Sequence, residues 1–242
     1  MSPRGDDLSR LAERVHGCRL CPRLVAWREA CAADPPKRFR GERYWARPLS
    51  GLGDPEASVV VVGLAPAAHG GNRTGRFFTG DRSGDWLFAS LHRTGFANQP
   101  ESVRIDDGLR LGGIFVTAVN RCPPPQNRPT PVERDNCLPY LEAELALLER
   151  AKVIVTLGAF GWDGALRALR SLGHEIPRPK PRFGHAAEAT VGRFALLGSF
   201  HPSQQNTFTG RLTEQMIDAV FHRARELAEE GAQGAPARTA AQ

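Results

Sequence analysis

The chain has 242 residues, 41% of them hydrophobic, which is enough for a sizeable core and excludes a wholly disordered protein. The net charge is +6, and 29 of the 32 basic residues are arginine, whose guanidinium suits phosphate oxygens. Nucleic acid is therefore the first candidate partner, although an arginine-rich solvated surface would give the same count. With no run of 18 apolar residues and no apolar leader, we expect a cytoplasmic protein without membrane contact.

Four runs of apolar, mostly β-branched residues alternate with segments of helical periodicity. Runs without polar alternation are typical of strands buried on both faces, as in parallel sheets. The predicted strands span residues 58–63, 113–119, 152–158 and 194–200. Their alternation with helices predicts a three-layer α/β/α sandwich with a mostly parallel central sheet of about four strands.

Helical spacing, capping residues and composition set the remaining boundaries. Residues 8–31 form two predicted helical pieces, with a break at the first cysteine pair. Ser83 can cap a helix over 84–94. Further helices are predicted over 132–150, 159–171 and 213–230. We expect a single domain over 1–230 and a low-complexity, disordered tail over 231–242.

Three polar loops follow three of the predicted strands. They cover residues 63–81, 120–131 and 201–213. Because ligands bind at the carboxyl ends of parallel strands, this edge of the sheet is the predicted site. His201 follows a buried strand, and Asp81 can either cap a helix or take part in catalysis. Phe77 and Phe78 are adjacent, so in an extended segment one faces the core and the other is available for stacking.

The five cysteines suggest a metal site rather than a disulfide framework, because an odd number in a reducing compartment argues against disulfides. Cys18 and Cys21 form a CxxC pair, and Cys122 and Cys137 are separated by fourteen residues in a proline-rich setting. A zinc ribbon would usually repeat the short spacing, so four thiolates around an iron–sulfur cluster are favoured. Four ordinary thiols are the alternative, and Cys31 is left as a core or free thiol.

Three long motifs carry a family resemblance. The segments GLAPAAHGGNRTGRFFTGD, RCPPPQNRPTP and HPSQQNTFTGRLT, together with the cysteine pattern, resemble the fifth family (type b) of the uracil-DNA glycosylase superfamily. The likeness covers about residues 10–230. It implies an α/β/α sandwich with N-terminal helices that ligate a [4Fe-4S] cluster. It also implies a monomeric base-excision repair enzyme that hydrolyses the N-glycosidic bond of uracil in damaged DNA, double- or single-stranded.

The resemblance also assigns roles to single residues. Phe78 would stack on the flipped uracil, His201 would stabilise the departing base, and Asn127 would hold the water, with Asp81 as a further catalytic candidate. The other implied substrate-binding residues are Gly63, Ala65 and Asn120. The implied DNA-binding residues are Ser203, Gln205, Asn206 and Arg211. The implied cluster ligands are Cys18, Cys21, Cys122 and Cys137. Arginines within 38–47 and 178–182 can supply phosphate contacts.

One departure from the superfamily pattern affects the chemistry. Other families carry an Asp, Asn or Glu early in the first motif to activate water, whereas this chain has Leu64 and Ala65. A pocket with fewer polar contacts rejects fewer bases, so hypoxanthine is expected as a second substrate. Two alternatives remain open: a non-catalytic iron–sulfur DNA-binding protein with a decayed active site, and an iron–sulfur redox or scaffold protein.

Overall fold

The computed structural model describes residues 3–233, and the side chains of residues 7–230. The sheet contains the strands β1 (Leu52–Gly53), β2 (Val59–Gly63), β3 (Ile114–Ala118), β4 (Val153–Leu157), β5 (Glu188–Val191) and β6 (Phe194–Ser199). The helices are α1 (Pro3–His16), α2 (Pro22–Ala33), α3 (Gly71–Thr74), α4 (Arg82–Arg93), α5 (Pro131–Leu147), α6 (Ala159–Ser171), α7 (Gln204–Phe208) and α8 (Glu214–Gln233).

The strand order across the sheet is β1-β3-β2-β4-β6-β5. The four inner strands are parallel, and β1 and β5 are antiparallel strands at the two edges. Every residue of β2, β3 and β4 is buried, as the unbroken apolar runs predict. The predicted sandwich with a mostly parallel sheet is therefore confirmed, and the carboxyl ends of the inner strands share one edge.

Helices cover both faces of the sheet. One apolar cluster lies between the sheet and the α4–α8 pair, and includes Phe88 and Phe221. A second lies on the opposite face beneath α5 and α6, and includes Leu141 and Trp162. Helix α1 packs outside α5, which places the N-terminal segment over the second layer.

Both edge strands were missed by the sequence analysis. The first, β1, has only two residues, which is too short for a periodic signal. In β5, exposed Glu188 and Thr190 alternate with less exposed residues, so no continuous apolar run marks the strand. Short edge strands of this kind limit unwanted pairing with other sheets.

Two further boundaries differ from the predictions. The N-cap of α4 is Asp81, whose Oδ1 accepts a hydrogen bond from the Gly84 amide at 3.0 Å, so the proposed Ser83 cap is wrong. Ser83 lies inside the first helical turn. Helix α8 reaches Gln233, into the predicted tail, and the rest of that tail lies outside the described residues. No helix among residues 3–233 is long and apolar enough to cross a membrane.

A buried ion pair between Arg121 and Glu144 joins the sheet to α5. The two side chains are 1% and 2% exposed, and their shorter N–O distance is 2.7 Å. Glu144 also accepts hydrogen bonds from the Thr117 hydroxyl at 2.7 Å and the Gly51 amide at 3.1 Å. The Arg121 carbonyl accepts the Leu49 amide at 2.9 Å. The pair thus ties β3, α5 and the segment before β1 together.

We predict that Glu144→Ala lowers the thermal unfolding midpoint by about 10 °C or more. Removing one partner of a buried ion pair typically costs about 3–5 kcal/mol, because the other charge remains buried. The control is Asp163→Ala, which breaks a 2.5 Å pair with Lys180 whose members are both more than half exposed. The control should shift the midpoint by less than about 3 °C. Equal shifts in calorimetry would contradict this account of the fold.

Candidate functional site

The three predicted loops meet at the carboxyl edge of the sheet. The Asn120 amide donates to the Leu64 carbonyl at 2.9 Å, which joins the loop after β3 to the loop after β2. The rings of Phe78 and His201 have centroids 6.1 Å apart, which brings the loop after β6 to the same place. The three loops therefore meet at one edge of the sheet, as the candidate site requires.

Phe78 is seated by glycines on two sides. A Cβ on Gly63 would come within 2.7 Å of the Phe78 ring, and one on Gly84 within 1.8 Å of its carbonyl oxygen. Phe78 adopts a left-handed backbone conformation with φ of 52°. The Phe77–Phe78 segment is not extended, so the alternation considered for an extended segment does not apply, and both rings are buried in one cluster. Phe78 nevertheless has its ring edge at the site, beside His201.

His201 is half-buried at the end of β6. Burial lowers the pKa of its imidazole to about 4, so the ring is neutral at pH 7. Its backbone carbonyl accepts a hydrogen bond from Asn206 Nδ2 at 2.8 Å. Gly158 lies directly after β4 and close to His201, since a Cβ added at Gly158 would be 3.5 Å from the His201 Cβ. Gly158 was not among the predicted site residues, although a glycine between a buried strand and a helix often marks a close approach of the backbone.

Asp81 caps α4, which is one of the two roles considered for it. One carboxylate oxygen caps α4, and the other lies over the glycine-rich loop, where a Cβ on Gly70 would be 2.1 Å from it. Burial raises the pKa of Asp81, while the Gly84 and Ser83 amides act in the opposite direction. The cap therefore leaves one oxygen facing the backbone of the first loop.

The two asparagines of the second loop have different surroundings. Asn120 is fully buried, its Nδ2 donates to the Glu133 carbonyl at 3.0 Å, and its Oδ1 has no partner among the described residues. Asn127 is exposed, with φ of 55° in a 3-10 turn, and its amide bonds to the Pro124 carbonyl at 3.1 Å. Of the two, only Asn120 supports the fold with its side chain, and within the described residues no hydrogen bond joins Asn127 to His201.

The loop after β6 contains the short helix α7 and carries the predicted nucleic-acid contacts. Gln205 is exposed, and Ser203 is half-buried at the N-cap of α7. Asn206 is committed to the His201 carbonyl, which makes it a loop-holding residue. The Arg211 guanidinium stacks over the Phe200 ring at 4.4 Å. Phe208, which sequence analysis passed over, is 70% exposed and is the large apolar side chain of this loop.

The predicted cluster cysteines come from three parts of the chain and are mutual neighbours. A charge on Cys18 would raise the pKa of Cys21, Cys122 and Cys137, so its sulfur lies near all three. A charge on Cys31 does not contribute to the pKa shifts of these three thiols. Burial raises the pKa of Cys122 to about 12 and that of Cys137 to about 11.

Two polar side chains donate to these sulfurs. Arg28 Nη1 lies 3.0 Å from Cys122 Sγ, and Asn136 Nδ2 lies 3.5 Å from Cys21 Sγ. Within the described residues, no three His, Cys, Asp or Glu side chains adopt the arrangement of a metal centre. A set of four neighbouring thiols with hydrogen-bond donors to sulfur is nevertheless chemically suited to an iron–sulfur cluster.

Comparisons with known proteins agree with one another. A model of the uracil DNA glycosylase superfamily matches residues 50–225. A type-5 uracil-DNA glycosylase of Mycobacterium tuberculosis is 52% identical over 213 residues, covering 87% of this chain and 78% of that protein. A type-5 uracil-DNA glycosylase of Thermus thermophilus is 47% identical over 225 residues, covering 92% of this chain and 99% of that protein. A type-4 enzyme of Pyrobaculum aerophilum is 30% identical over 200 residues, covering 81% and 83%. The chain therefore belongs to the uracil-DNA glycosylase superfamily, within its type-5 family.

Proposed function

We propose that this chain is a base-excision repair enzyme that hydrolyses the N-glycosidic bond of uracil in DNA. The observation that carries the proposal is the meeting of Phe78 and His201 at the carboxyl edge of the sheet, in a chain of this family. An aromatic ring suits the face of a flipped base, and an imidazole suits its carbonyl oxygens. The type-5 relatives are named for uracil, which sets the first substrate to test.

In this mechanism His201 acts on the leaving base. Cleavage of the glycosidic bond leaves negative charge on the base, and an N–H of the neutral imidazole can donate to a carbonyl oxygen that carries it. The low pKa of His201 ensures that the ring is already neutral when the base enters. A donor that is in place before the reaction needs no reorganisation during it.

Asn127 and Asp81 are the groups that can orient the attacking water. Leu64 and Ala65 have no polar side-chain atom. An amide cannot take a proton at neutral pH, so Asn127 can only orient the water. The oxygen of Asp81 that faces the glycine-rich loop can accept a water proton or stabilise the sugar cation. The reaction therefore depends on a well-developed sugar cation and a good leaving group.

DNA would approach the face that carries the loop after β6. Ser203, Gln205 and Arg211 lie along this loop, and Phe208 is an exposed ring of the kind that inserts at a base step. Exposed arginines within 38–47 and 178–182 add phosphate contacts. Asn206 keeps the loop attached to His201, so recognition and chemistry share one support.

A base-release assay tests the proposed function. Oligonucleotides carrying uracil, hypoxanthine or no modified base are incubated with the protein, and the freed base is measured. We expect release of uracil and of hypoxanthine, because apolar Leu64 and Ala65 leave few buried polar groups unpaired by a wrong base. No release from any substrate would favour the non-catalytic DNA-binding alternative, and release of uracil alone would contradict the broad range.

The chain would hold a [4Fe-4S] cluster through the thiolates of Cys18, Cys21, Cys122 and Cys137. Such a group supplies a covalent connection between the N-terminal helices and the proline-rich loop, and closes a chain loop of about 100 residues. Arg28 and Asn136 would donate to cluster sulfurs and neutralise part of the charge. Its role in this proposal is structural.

We predict that His201→Ala lowers the single-turnover rate of uracil release about 100- to 1,000-fold, the usual cost of losing one preorganised donor. DNA affinity and iron content should be nearly unchanged. His174→Ala is the matched control, because its imidazole packs against Phe194, within the apolar cluster on the far side of the sheet from Phe78. A near-normal rate in the His201 variant would exclude its role as leaving-group stabiliser.

The pH dependence tests the same residue independently. The His201 imidazole is neutral above its pKa of about 4, so its contribution persists as pH falls through the ordinary histidine range. The ratio of kcat/KM between wild type and His201→Ala should therefore be constant from pH 8 to pH 5 and change only nearer pH 4. A ratio that changes around pH 6.5 would show an unperturbed imidazole.

We predict opposite effects for the two asparagine variants. Asn127→Ala should lower the single-turnover rate at least tenfold with only a small decrease of the unfolding midpoint, because its exposed side chain does not support the fold and the remaining cost is that of an alanine at φ of 55°. Asn120→Ala should lower the unfolding midpoint, because it removes a buried hydrogen bond, and should lose less activity in folded protein. An unchanged rate in the Asn127 variant would refute its role with water.

We predict that the anaerobically purified protein is brown and contains about four iron and four sulfide per chain. Cys122→Ser should lose most of the iron and lower the unfolding midpoint. Cys31→Ser is the matched control, since Cys31 is equally buried but is not coupled to the other four, and it should retain the iron. One equivalent of zinc and no iron in wild type would defeat the proposal.

A further inference from the structure

Two adjoining cavities lie beside the glycine-rich loop and contain none of the residues assigned to catalysis or to binding the base. One has a volume of about 390 Å³ and is lined by residues 43–45, Arg47, Arg73 and Thr74. The other, of about 680 Å³, extends towards α1 and α2 and shares Trp45 and Arg47 with the first. We use the name Trp45 groove for the surface formed by residues 43–47 with Arg73 and Thr74.

The Trp45 groove carries positive charge that no ion pair within the described residues neutralises. Arg43 and Arg47 are exposed, and no salt bridge among the described residues includes either side chain. Arg73 behaves differently, because it donates to Glu42 at 2.6 Å and to two backbone carbonyls. Arg47 lies with its guanidinium over the Trp45 ring, 5.6 Å from the ring centroid, so a base that stacks on the indole would also contact Arg47. The charges of Arg43 and Arg47 are available to an anionic ligand.

Trp45 forms a rigid aromatic surface in the same groove. Its Nε1 donates to the Pro48 carbonyl at 3.2 Å, and its ring meets His16 edge-on at a centroid distance of 5.0 Å. Gly75 lies against the indole, since a Cβ there would be 3.2 Å from it. The ring is half-buried, so one part is held in place and the rest faces the cavities.

The Trp45 groove is continuous with the glycine-rich loop of the site. The Trp45 amide donates to the Arg73 carbonyl at 3.0 Å, and the Ala46 amide donates to the Asn72 carbonyl at 3.1 Å. Residues 72–73 belong to the same loop that carries Phe78 and Asp81 further along. A nucleic-acid strand that leaves the site along this loop meets the groove next.

We propose that the Trp45 groove binds a single-stranded DNA segment flanking the target nucleotide, with phosphates on Arg43 and Arg47 and a base stacked on Trp45. This rests on the proposed function, which makes DNA the substrate. A duplex keeps its base faces stacked internally, so it could use the arginines but not the indole. Concave walls that combine arginine with an aromatic ring are suited to unstacked nucleotides.

The test measures equilibrium binding of uracil-free oligonucleotides, so it does not require excision. The probes are a 15-nucleotide thymidine strand, its RNA counterpart, and a blunt 15-base-pair duplex. The variants are Arg43→Ala/Arg47→Ala, Trp45→Leu and the conservative Trp45→Phe. Arg167→Ala/Arg170→Ala removes the same charge from exposed positions of α6 and serves as the control.

We expect Trp45→Leu to weaken single-strand binding about tenfold and Trp45→Phe to restore most of it, with little effect on the duplex. The double arginine variant should weaken single-strand binding and make the slope of log K against log salt shallower by about 1.4. In the Trp45→Leu variant, excision of uracil from a short blunt duplex at saturating enzyme should keep its wild-type single-turnover rate.

Three results would overturn the proposal. These are equal losses on single strand and duplex in the Trp45→Leu variant, a loss in the α6 control equal to that of Arg43→Ala/Arg47→Ala, and tighter binding of the RNA strand than of the DNA strand. If Trp45→Leu does not fold, the arginine variant and Trp45→Phe decide the question. A protein that releases no uracil but shows the expected binding pattern would refute the glycosylase proposal alone.

Discussion

The buried pair of Arg121 and Glu144 is the interaction on which the geometry of the site depends. The pair holds the end of β3 to α5. Along the chain, Arg121 lies between Asn120 and Cys122. A displacement of Arg121 would therefore move a site residue and a predicted cluster ligand together. Glu144 also receives the Gly51 amide, so the segment after the Trp45 groove is held by the same carboxylate. Charges this deeply buried are tolerated because each has several hydrogen-bond partners.

Helix α2 transmits this arrangement to the loops. Arg23 forms a bidentate ion pair with Glu133 and also donates to the Arg128 carbonyl, which attaches the second loop. The Arg28 carbonyl accepts Asn72 Nδ2 at 3.2 Å, which attaches the first loop. Arg28 also donates to Cys122 Sγ. One helix thus connects the cysteine region with two of the three site loops. The proposed cluster would therefore affect the position of these loops through α2 without any part in the chemistry.

The sequence predicts the inner sheet well because buried parallel strands are continuous apolar runs, and it predicts the site edge because polar loops follow those runs. Contacts between residues far apart along the chain cannot be predicted from the sequence in this way. Ser83 and Asp81 are both good capping residues, and only the extended backbone of Asp81 decides between them. Phe78 is buried beside Phe77 because a left-handed turn reverses the alternation, which no local pattern announces. The commitment of Asn206 to the His201 carbonyl depends on the fold of the whole loop.

The positive charge that can attract DNA and the side chains of the candidate site lie in different parts of the molecule. Unpaired arginines lie on exposed segments, where they draw phosphates at little desolvation cost, and the site itself contains a neutral imidazole and one partly buried carboxylate. A uracil ring is uncharged until its bond to the sugar breaks. A charged imidazole would have to lose its hydration each time a neutral base entered, whereas a neutral one gains most when charge develops on the base. In the proposed mechanism, the burial that lowers the pKa of His201 therefore favours the transition state over the bound substrate.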